Sequence, residues 1–211
     1  MKINIPHSAK LAPLILSAGI LGFSPSATAV TLLNGSFESE NFSTPDYFRY
    51  VPSFVMTGWT ATYNGPGEGS YLMDTTPGGY TAYAPFANGT HVMRLAYGES
   101  ISQTATGLTV GLTYTVTFDL IQLDSGDPAS FLTLSGGGVS TDFSTGFTSP
   151  SISFVASGTT AVISLAAVST VLDGNFLGVS LDNIRIVEIP EPSTSIIAVL
   201  GALICTSRRR R

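Results

Sequence analysis

The chain has 211 residues, of which 44% are hydrophobic and 11% are charged, a composition that excludes an intrinsically disordered protein. Its 22 glycines and 12 prolines, with many serines and threonines, favour short strands and turns over helices. All 14 acidic residues but only three of the nine basic ones lie between Glu38 and Glu191, and this net charge of −11 argues against nucleic-acid binding, because a phosphate backbone requires Lys and Arg.

Residues 1–29 have the three parts of a secretory signal. Lys2 and Lys10 supply positive charge, residues 11–23 form an apolar run, and Ala27 and Ala29 are the small residues that a signal peptidase reads. An uncleaved anchor is the alternative, but the run is shorter than the roughly 20 residues that span a bilayer. We therefore expect a signal helix that signal peptidase removes after Ala29.

Residues 30–188 are predicted to form one all-β domain, a jelly-roll-type β-sandwich of about eight or nine strands. The clearest strand is 113–120, where Tyr114, Val116 and Phe118 alternate with polar residues. Further strands are predicted at 31–37, 58–63, 91–96, 100–104, 151–156, 160–167 and 178–187. Residues 64–90, rich in Gly, Pro and Tyr, form the least regular part, and long loops of this kind are common ligand-binding sites.

Five short elements of this body resemble the galactose-binding-like β-sandwich, whose jelly-roll is shared by carbohydrate-binding modules. They are Leu33-Asn34-Gly35-Ser36-Phe37-Glu38, Gly58-Trp59-Thr60, Ser100-Ile101-Ser102-Gln103, residues 107–114 and Ser180-Leu181-Asp182-Asn183-Ile184. The resemblance implies a structural calcium ion (Ca2+) bound by Glu38 and Asp182 together with backbone carbonyls. Such hard oxygen ligands suit calcium.

The last predicted strand allows two orientations of Asp182. By simple alternation Asp182 shares a face with Ile184 and Ile186, which would point its carboxylate into the core, where it needs a partner. The alternative to a calcium site is a bulge near Asn183. Such a bulge would turn Asp182 to solvent or let it accept hydrogen bonds from backbone amides.

Aromatic residues are the candidates for sugar binding, because flat rings can stack on the apolar face of a pyranose. The candidates are Trp59, Tyr63, Tyr71, Tyr80 and Tyr83. A lone Trp in a sandwich is more often part of the core, since aromatic side chains bury a large area. The tyrosines of the Gly-rich loop are therefore the better surface candidates.

The body offers few catalytic groups, and we predict that it is not an enzyme. His91 is its only imidazole, it has no lysine or cysteine, and no Gly-x-Ser-x-Gly motif marks a serine nucleophile. The only cysteine, Cys205, lies in the tail, so no disulfide can link the body. A carboxylate pair for glycoside hydrolysis stays open as an alternative, although no pair is singled out.

The C-terminal residues 189–211 form a tripartite tail. A polar element, a short apolar stretch at 196–205 that we expect to form a membrane helix, and a basic end follow each other. The polar element is Pro190, Glu191, Pro192, Ser193 and Thr194, and the basic end is Arg208, Arg209, Arg210 and Arg211. The prolines keep the peptide extended, and the arginines resist transfer across the membrane.

This tail resembles the PEP-CTERM sorting signal, the substrate mark of exosortase in Gram-negative bacteria that make exopolysaccharide. The resemblance implies transient anchoring in the inner membrane, cleavage by exosortase near Pro190, and delivery to the cell envelope or the extracellular matrix. The span between Thr194 and Arg208 is short for a permanent anchor.

These patterns lead to three functional hypotheses. The first is a non-enzymatic exported protein of the cell surface or extracellular matrix, sorted by exosortase and associated with exopolysaccharide. The second is a calcium-stabilised carbohydrate-binding module, and the third is a polysaccharide hydrolase. Reversible glycan binding without product would separate the second from the third, and self-association without glycan binding would favour a structural role.

Overall fold

The computed structural model describes residues 30–40, 48–50, 55–62, 69–77, 79, 81, 88–123, 131–144, 150–168 and 178–190. The predicted signal helix, the sorting helix and residues 191–211 lie outside these ranges, as do Tyr63, Tyr80 and Tyr83. Within them the chain is all-β, and no helix there is long and apolar enough to cross a membrane.

The described ranges contain eleven strands in two antiparallel sheets. The strands are β1 (Phe48–Tyr50), β2 (Thr60–Thr62), β3 (Tyr71–Asp74), β4 (His91–Ala96), β5 (Ser100–Thr106), β6 (Thr113–Leu123), β7 (Phe131–Gly136), β8 (Val139–Phe143), β9 (Ser151–Val155), β10 (Thr160–Val168) and β11 (Gly178–Glu188). One sheet has the order β1-β3-β4-β11-β6-β9, and the other has the order β2-β5-β10-β7-β8. The predicted all-β sandwich is thereby confirmed for these residues, but the predicted number of strands was too low.

Alternating side chains build the core between the sheets. In β6, Tyr114, Val116 and Phe118 are buried while the threonines between them are half-buried, and in β10 Ile163 and Leu165 are buried in the same way. Successive side chains point to opposite faces of a strand, so the buried residues share one face and the residues between them share the other. The buried apolar residues that face the space between the two sheets form one hydrophobic cluster.

Around β3, β4 and the first half of β11, the six-stranded sheet is buried on both faces. Met73 and Val92 are fully buried, yet they do not belong to the core cluster, because alternation places them on the opposite face from Leu72 and Met93. We call this opposite face the outer face of the six-stranded sheet. It carries the residues that form the candidate site.

The prediction of a strand at 31–37 is wrong. Thr31 makes a single β-bridge to Thr106, and the chain then turns, with positive φ angles at Asn34 (51°) and Phe37 (60°). The turn is closed by a hydrogen bond from the Phe37 amide to the Asn34 carbonyl at 3.2 Å. It places the Phe37 side chain in the core, where it is 0% exposed.

Candidate functional site

Trp59 lies in the core and is not available for a ligand. Its side chain is 5% exposed, its ring centroid lies 5.9 Å from that of Phe37, and its Nε1 donates to the Asn34 carbonyl at 3.0 Å. A buried Trp normally finds a hydrogen-bond acceptor in this way. Trp59 thus has the core position that is more common for a lone Trp, and its ring offers no exposed face to a sugar.

A bulge in the central strand β11 determines where Asp182 points. The register with β6 shifts between Asp182 and Arg185, and Asn183 has a φ of 56°. Asp182 thus lies opposite Asp119 on the outer face, whereas Ile184 packs in the core. The bulge proposed as an alternative from the sequence is present, and the simple alternation of Asp182 with Ile184 is wrong.

The Asp182 carboxylate is completely buried. Its Oδ2 accepts a hydrogen bond from the Asn88 amide and its Oδ1 accepts one from the Asn183 amide, each at 2.5 Å. Burial raises the pKa of Asp182 to about 7; the two amide bonds lower it, and the nearby carboxylates of Glu38 and Asp119 raise it. The groups that act on this pKa thus include two further anions and no cation.

The Glu38 carboxylate binds the turn that leads into β4. Its Oε1 accepts hydrogen bonds from the amides of Thr90 at 2.9 Å and His91 at 2.7 Å. Its Oε2 accepts one from the Thr90 hydroxyl at 2.9 Å and lies 3.1 Å from His91 Nδ1. These four contacts join the loop after Asn34 to the start of β4.

The acidic residues of this region fit a hard cation only in part. Asp182 keeps lone pairs free after its two amide bonds, but the four contacts of Glu38 use the full acceptor capacity of a carboxylate. In the described part of the chain no group of three His, Cys, Asp or Glu side chains could hold a metal by itself. A calcium ion would therefore need backbone carbonyls, and Glu38 would have to release one contact to reach it.

Tyr71 forms an aromatic surface on the outer face together with Phe48. The Phe48 side chain is 39% exposed and meets the half-buried Tyr71 ring edge-on, with 5.8 Å between centroids. The Arg94 guanidinium lies 5.8 Å from the Tyr71 centroid and is almost completely buried. This cation–π contact and the aromatic pair hold the Tyr71 ring between them. We call Phe48 and Tyr71 the aromatic platform.

A polar row continues from the platform across the sheet. Tyr71 pairs with Arg94, Arg94 pairs with Ser180, and the register extends to the backbone of Gln122. Ser180 is 0% exposed, and its Oγ has no hydrogen-bond partner in the described structure. A buried hydroxyl of this kind needs a water molecule or a ligand group as its partner. Neither Ser180 nor Phe48 was singled out from the sequence.

A cleft lies against the five-stranded sheet, whereas the aromatic platform lies on the six-stranded sheet. This cleft of about 430 Å³ is lined by Leu33, Gly58, Thr60, Ser102, Gln103, Thr104 and Val162. None of these lining residues is aromatic, so the cleft offers hydroxyl groups but no ring for stacking. It contains none of the residues predicted to bind a ligand.

His91 takes part in a structural contact with Glu38. Its side chain lies against the Glu38 carboxylate, and the residue is 8% exposed. The imidazole is thus held at the start of β4, inside the contact that joins β4 to the loop after Asn34.

Comparisons with known proteins give similarities at low identity. No protein-family model and no curated protein matches the chain. The structure of TmCBM61 in complex with β-1,4-galactotriose matches 66% of this chain and 94% of its own, with 14% identity and a TM-score of 0.43. The CBM22-1–GH10 modules of a Clostridium thermocellum xylanase, complexed with xylohexaose, match 64% of this chain with 17% identity and a TM-score of 0.40.

A third similar structure is a family GH115 4-O-methyl-α-glucuronidase with specificity for decorated arabinogalactans. It matches 48% of this chain with 14% identity and a TM-score of 0.37. This chain spans 27% of the xylanase chain and 15% of the glucuronidase chain. The candidate site is therefore assigned from its own contacts.

Proposed function

We propose that residues 30–188 form a carbohydrate-binding β-sandwich module without catalytic activity. The observation that supports this proposal is the half-exposed aromatic platform, Phe48 and Tyr71, beside a row of polar residues on one sheet. Sugar sites combine flat apolar surfaces with a few placed polar groups. The platform supplies the flat surface, and Arg94 fixes one side of it.

The platform makes the binding test specific. In isothermal titration calorimetry of the full-length chain with the exopolysaccharide of its host, we expect Tyr71→Ala to weaken binding at least about tenfold, as loss of a central aromatic contact does. Phe48→Ala should weaken it less. Val162→Ala, which removes an exposed apolar side chain from the other sheet, is the control and should bind like the parent chain.

Two results would contradict the proposal. Equal binding by the parent chain and Tyr71→Ala would show that the platform is not the site. Release of new reducing ends from the polysaccharide would show that the protein is a hydrolase.

We also propose that calcium stabilises this module at Asp182. The proposal is supported by the full burial of Asp182 among carboxylates, since a bound cation would hold the carboxylate ionised. Calcium should raise the melting temperature of the parent chain above its value in chelator. In Asp182→Asn this rise should disappear, and a rise of the same size in both proteins would contradict the assignment.

We further propose that the protein is exported, sorted by exosortase and released to the cell envelope or the extracellular matrix. The proposal rests on the sequence of residues 1–29 and of the tail, which lie outside the described residues apart from the exposed Ile189 and Pro190. Mass spectrometry of the protein recovered from its native envelope tests it. A mass that lacks the segment after Pro190 is expected, and a mass that includes Arg208 to Arg211 would refute cleavage.

A further inference from the structure

The turn between β4 and β5 passes from one sheet to the other. Its backbone is bonded to β10 of the five-stranded sheet: the Gly98 amide donates to the Ala167 carbonyl at 2.8 Å, and the Ala167 amide donates to the Glu99 carbonyl at 3.0 Å. A further bond, from the Glu99 amide to the Ala96 carbonyl at 3.1 Å, closes the turn. The Glu99 backbone is thus bonded to the five-stranded sheet, whereas the aromatic platform lies on the six-stranded sheet.

The Glu99 side chain points to the six-stranded sheet, which carries the platform. Its carboxylate is buried, with the residue 4% exposed, and its Oε2 accepts hydrogen bonds from both the amide and the hydroxyl of Ser70. The Ser70 Oγ in turn accepts a hydrogen bond from the Ala96 amide at 3.0 Å. Ser70 is therefore bonded to the end of β4 and to the following turn at the same time.

Ser70 directly precedes Tyr71, the first residue of β3. That strand has only four residues, and the strand on its other side, β1, has three. A short strand near a sheet edge has few backbone bonds to fix its register. The contacts of Ser70 therefore determine where β3 starts and at what height Tyr71 lies over Arg94.

We propose that Glu99 is a positioning residue for the aromatic platform. Its buried carboxylate fixes Ser70, and Ser70 fixes Tyr71 against Arg94 and Phe48 in the orientation that stacks on a sugar ring. This inference rests on the proposed carbohydrate-binding function for its consequence, but the coupling between Glu99 and Tyr71 exists without any ligand. Glu99 itself does not contact the sugar.

The choice of a carboxylate has a physical reason. The two Ser70 groups are both donors, and an ionised carboxylate is an acceptor only, so it can receive both on one oxygen without presenting a donor to its surroundings. Glu99→Gln keeps one acceptor oxygen but adds an amide group that needs its own acceptor. Glu99→Ala removes both bonds, and Ser70→Ala removes the hydroxyl while keeping the amide bond.

The first experiment uses no ligand. In nuclear magnetic resonance spectra of the full-length chain, we expect Glu99→Gln and Glu99→Ala to shift the Tyr71 ring resonances and to weaken the nuclear Overhauser effects between Tyr71 and Arg94. Asp142→Ala removes an exposed carboxylate from the other sheet and should leave these signals unchanged. Unchanged Tyr71 signals in a folded Glu99 variant would overturn the proposal. If Glu99→Ala does not fold, Glu99→Gln and Ser70→Ala decide the question.

The second experiment measures affinity for the host exopolysaccharide by calorimetry. Glu99→Gln should weaken binding about tenfold, in the range expected for lost buried hydrogen bonds, and the change in affinity should be small when Tyr71 is already Ala. An equal loss in the two backgrounds would overturn the positioning role. If the parent chain binds no polysaccharide, the carbohydrate proposal fails, and the ligand-free spectra still decide whether Glu99 positions Tyr71.

Discussion

At the residue scale, Asp182 makes the stability of the protein depend on pH. Its pKa is about 7 in the folded chain and 3.8 in the reference state, so between these values the folded state retains a proton that the unfolded state has lost. The free energy of unfolding therefore decreases as the pH rises from about 4 to about 7, and this contribution is then constant. Bound calcium would oppose the decrease.

The pH dependence can be measured by urea unfolding in the presence of chelator. The parent chain should lose stability across this range relative to Asp182→Asn, which has no proton to release at this position. Asp142→Asn, at an exposed carboxylate, should follow the parent curve. Parallel curves for the parent chain and Asp182→Asn would show that Asp182 ionises as easily in the folded chain as in the unfolded one.

Position 89 requires a glycine for two reasons, namely its positive φ angle and its close approach to the Glu38 side chain. Its φ is 116°, and an added Cβ would lie 2.4 Å from the Glu38 Cδ. Gly138 also has a positive φ, 85°, but a Cβ there would meet nothing within 4 Å. Gly138→Ala should therefore cost only backbone strain, about 1–2 kcal/mol, whereas Gly89→Ala should cost more because it also displaces Glu38. Equal losses of unfolding free energy in the two variants would contradict this.

At the element scale, the side chain of Gln103 bonds the backbone of Leu33, which lies outside any strand, in the way a neighbouring strand would. Gln103 Nε2 donates to the Leu33 carbonyl at 2.8 Å, and its Oε1 accepts from the Leu33 amide. Gln103→Ala removes both bonds and should cost about 2 kcal/mol of unfolding free energy, since each net hydrogen bond contributes about 1 kcal/mol.

Amide hydrogen exchange shows whether this loss is local. The Leu33 amide should exchange much faster in Gln103→Ala than in the parent chain. The Thr31 amide donates to the Thr106 carbonyl at 3.0 Å and is the internal control, because that bridge stays in place. Unchanged protection of Leu33 would mean that the Gln103 side chain does not hold the segment.

Sequence patterns predict the strands whose two faces differ. The strands β6, β9 and β10 lie where expected because buried residues alternate along them with more exposed ones. By contrast, β3 has the sequence Tyr-Leu-Met-Asp with a buried residue on each face, and β8 is exposed at four of its five positions because it lies at a sheet edge. From its sequence pattern alone, neither strand can be distinguished from a loop.

The candidate site is predictable only in part for a similar reason. The sequence predicts Tyr71 at the surface as part of a Gly-rich loop, whereas the structure places it in β3, and Glu38 and Asp182 are predicted from a resemblance. The surroundings of Ser180 and Glu99 come from residues far away in sequence: Ser180 lies opposite Arg94 across the sheet, and Glu99 accepts hydrogen bonds from Ser70, which directly precedes β3. Polar residues of this kind acquire a role only when the topology brings such partners together. Local sequence carries no sign of it.

At the scale of the whole molecule, the charge of −11 between Glu38 and Glu191 predicts which polysaccharides the proposed module would bind. An anionic polysaccharide is repelled over a Debye length of about 30 Å at 0.01 M salt but only about 8 Å at 0.15 M salt. A neutral polysaccharide meets no such barrier, because stacking on an aromatic ring involves no net charge. Salt should therefore strengthen binding to an anionic polysaccharide and leave binding to a neutral one unchanged.

Calorimetric titrations at the two salt concentrations test this expectation with one neutral and one uronate-containing polysaccharide. Tyr71→Ala should weaken both interactions without changing their salt dependence, since the platform carries no charge. Affinity for the anionic polysaccharide that falls with added salt would show that a local cationic group outweighs the overall charge. Arg94, which lies beneath the Tyr71 ring, would then be the first residue to replace, because it is the cation nearest to the platform among the described side chains.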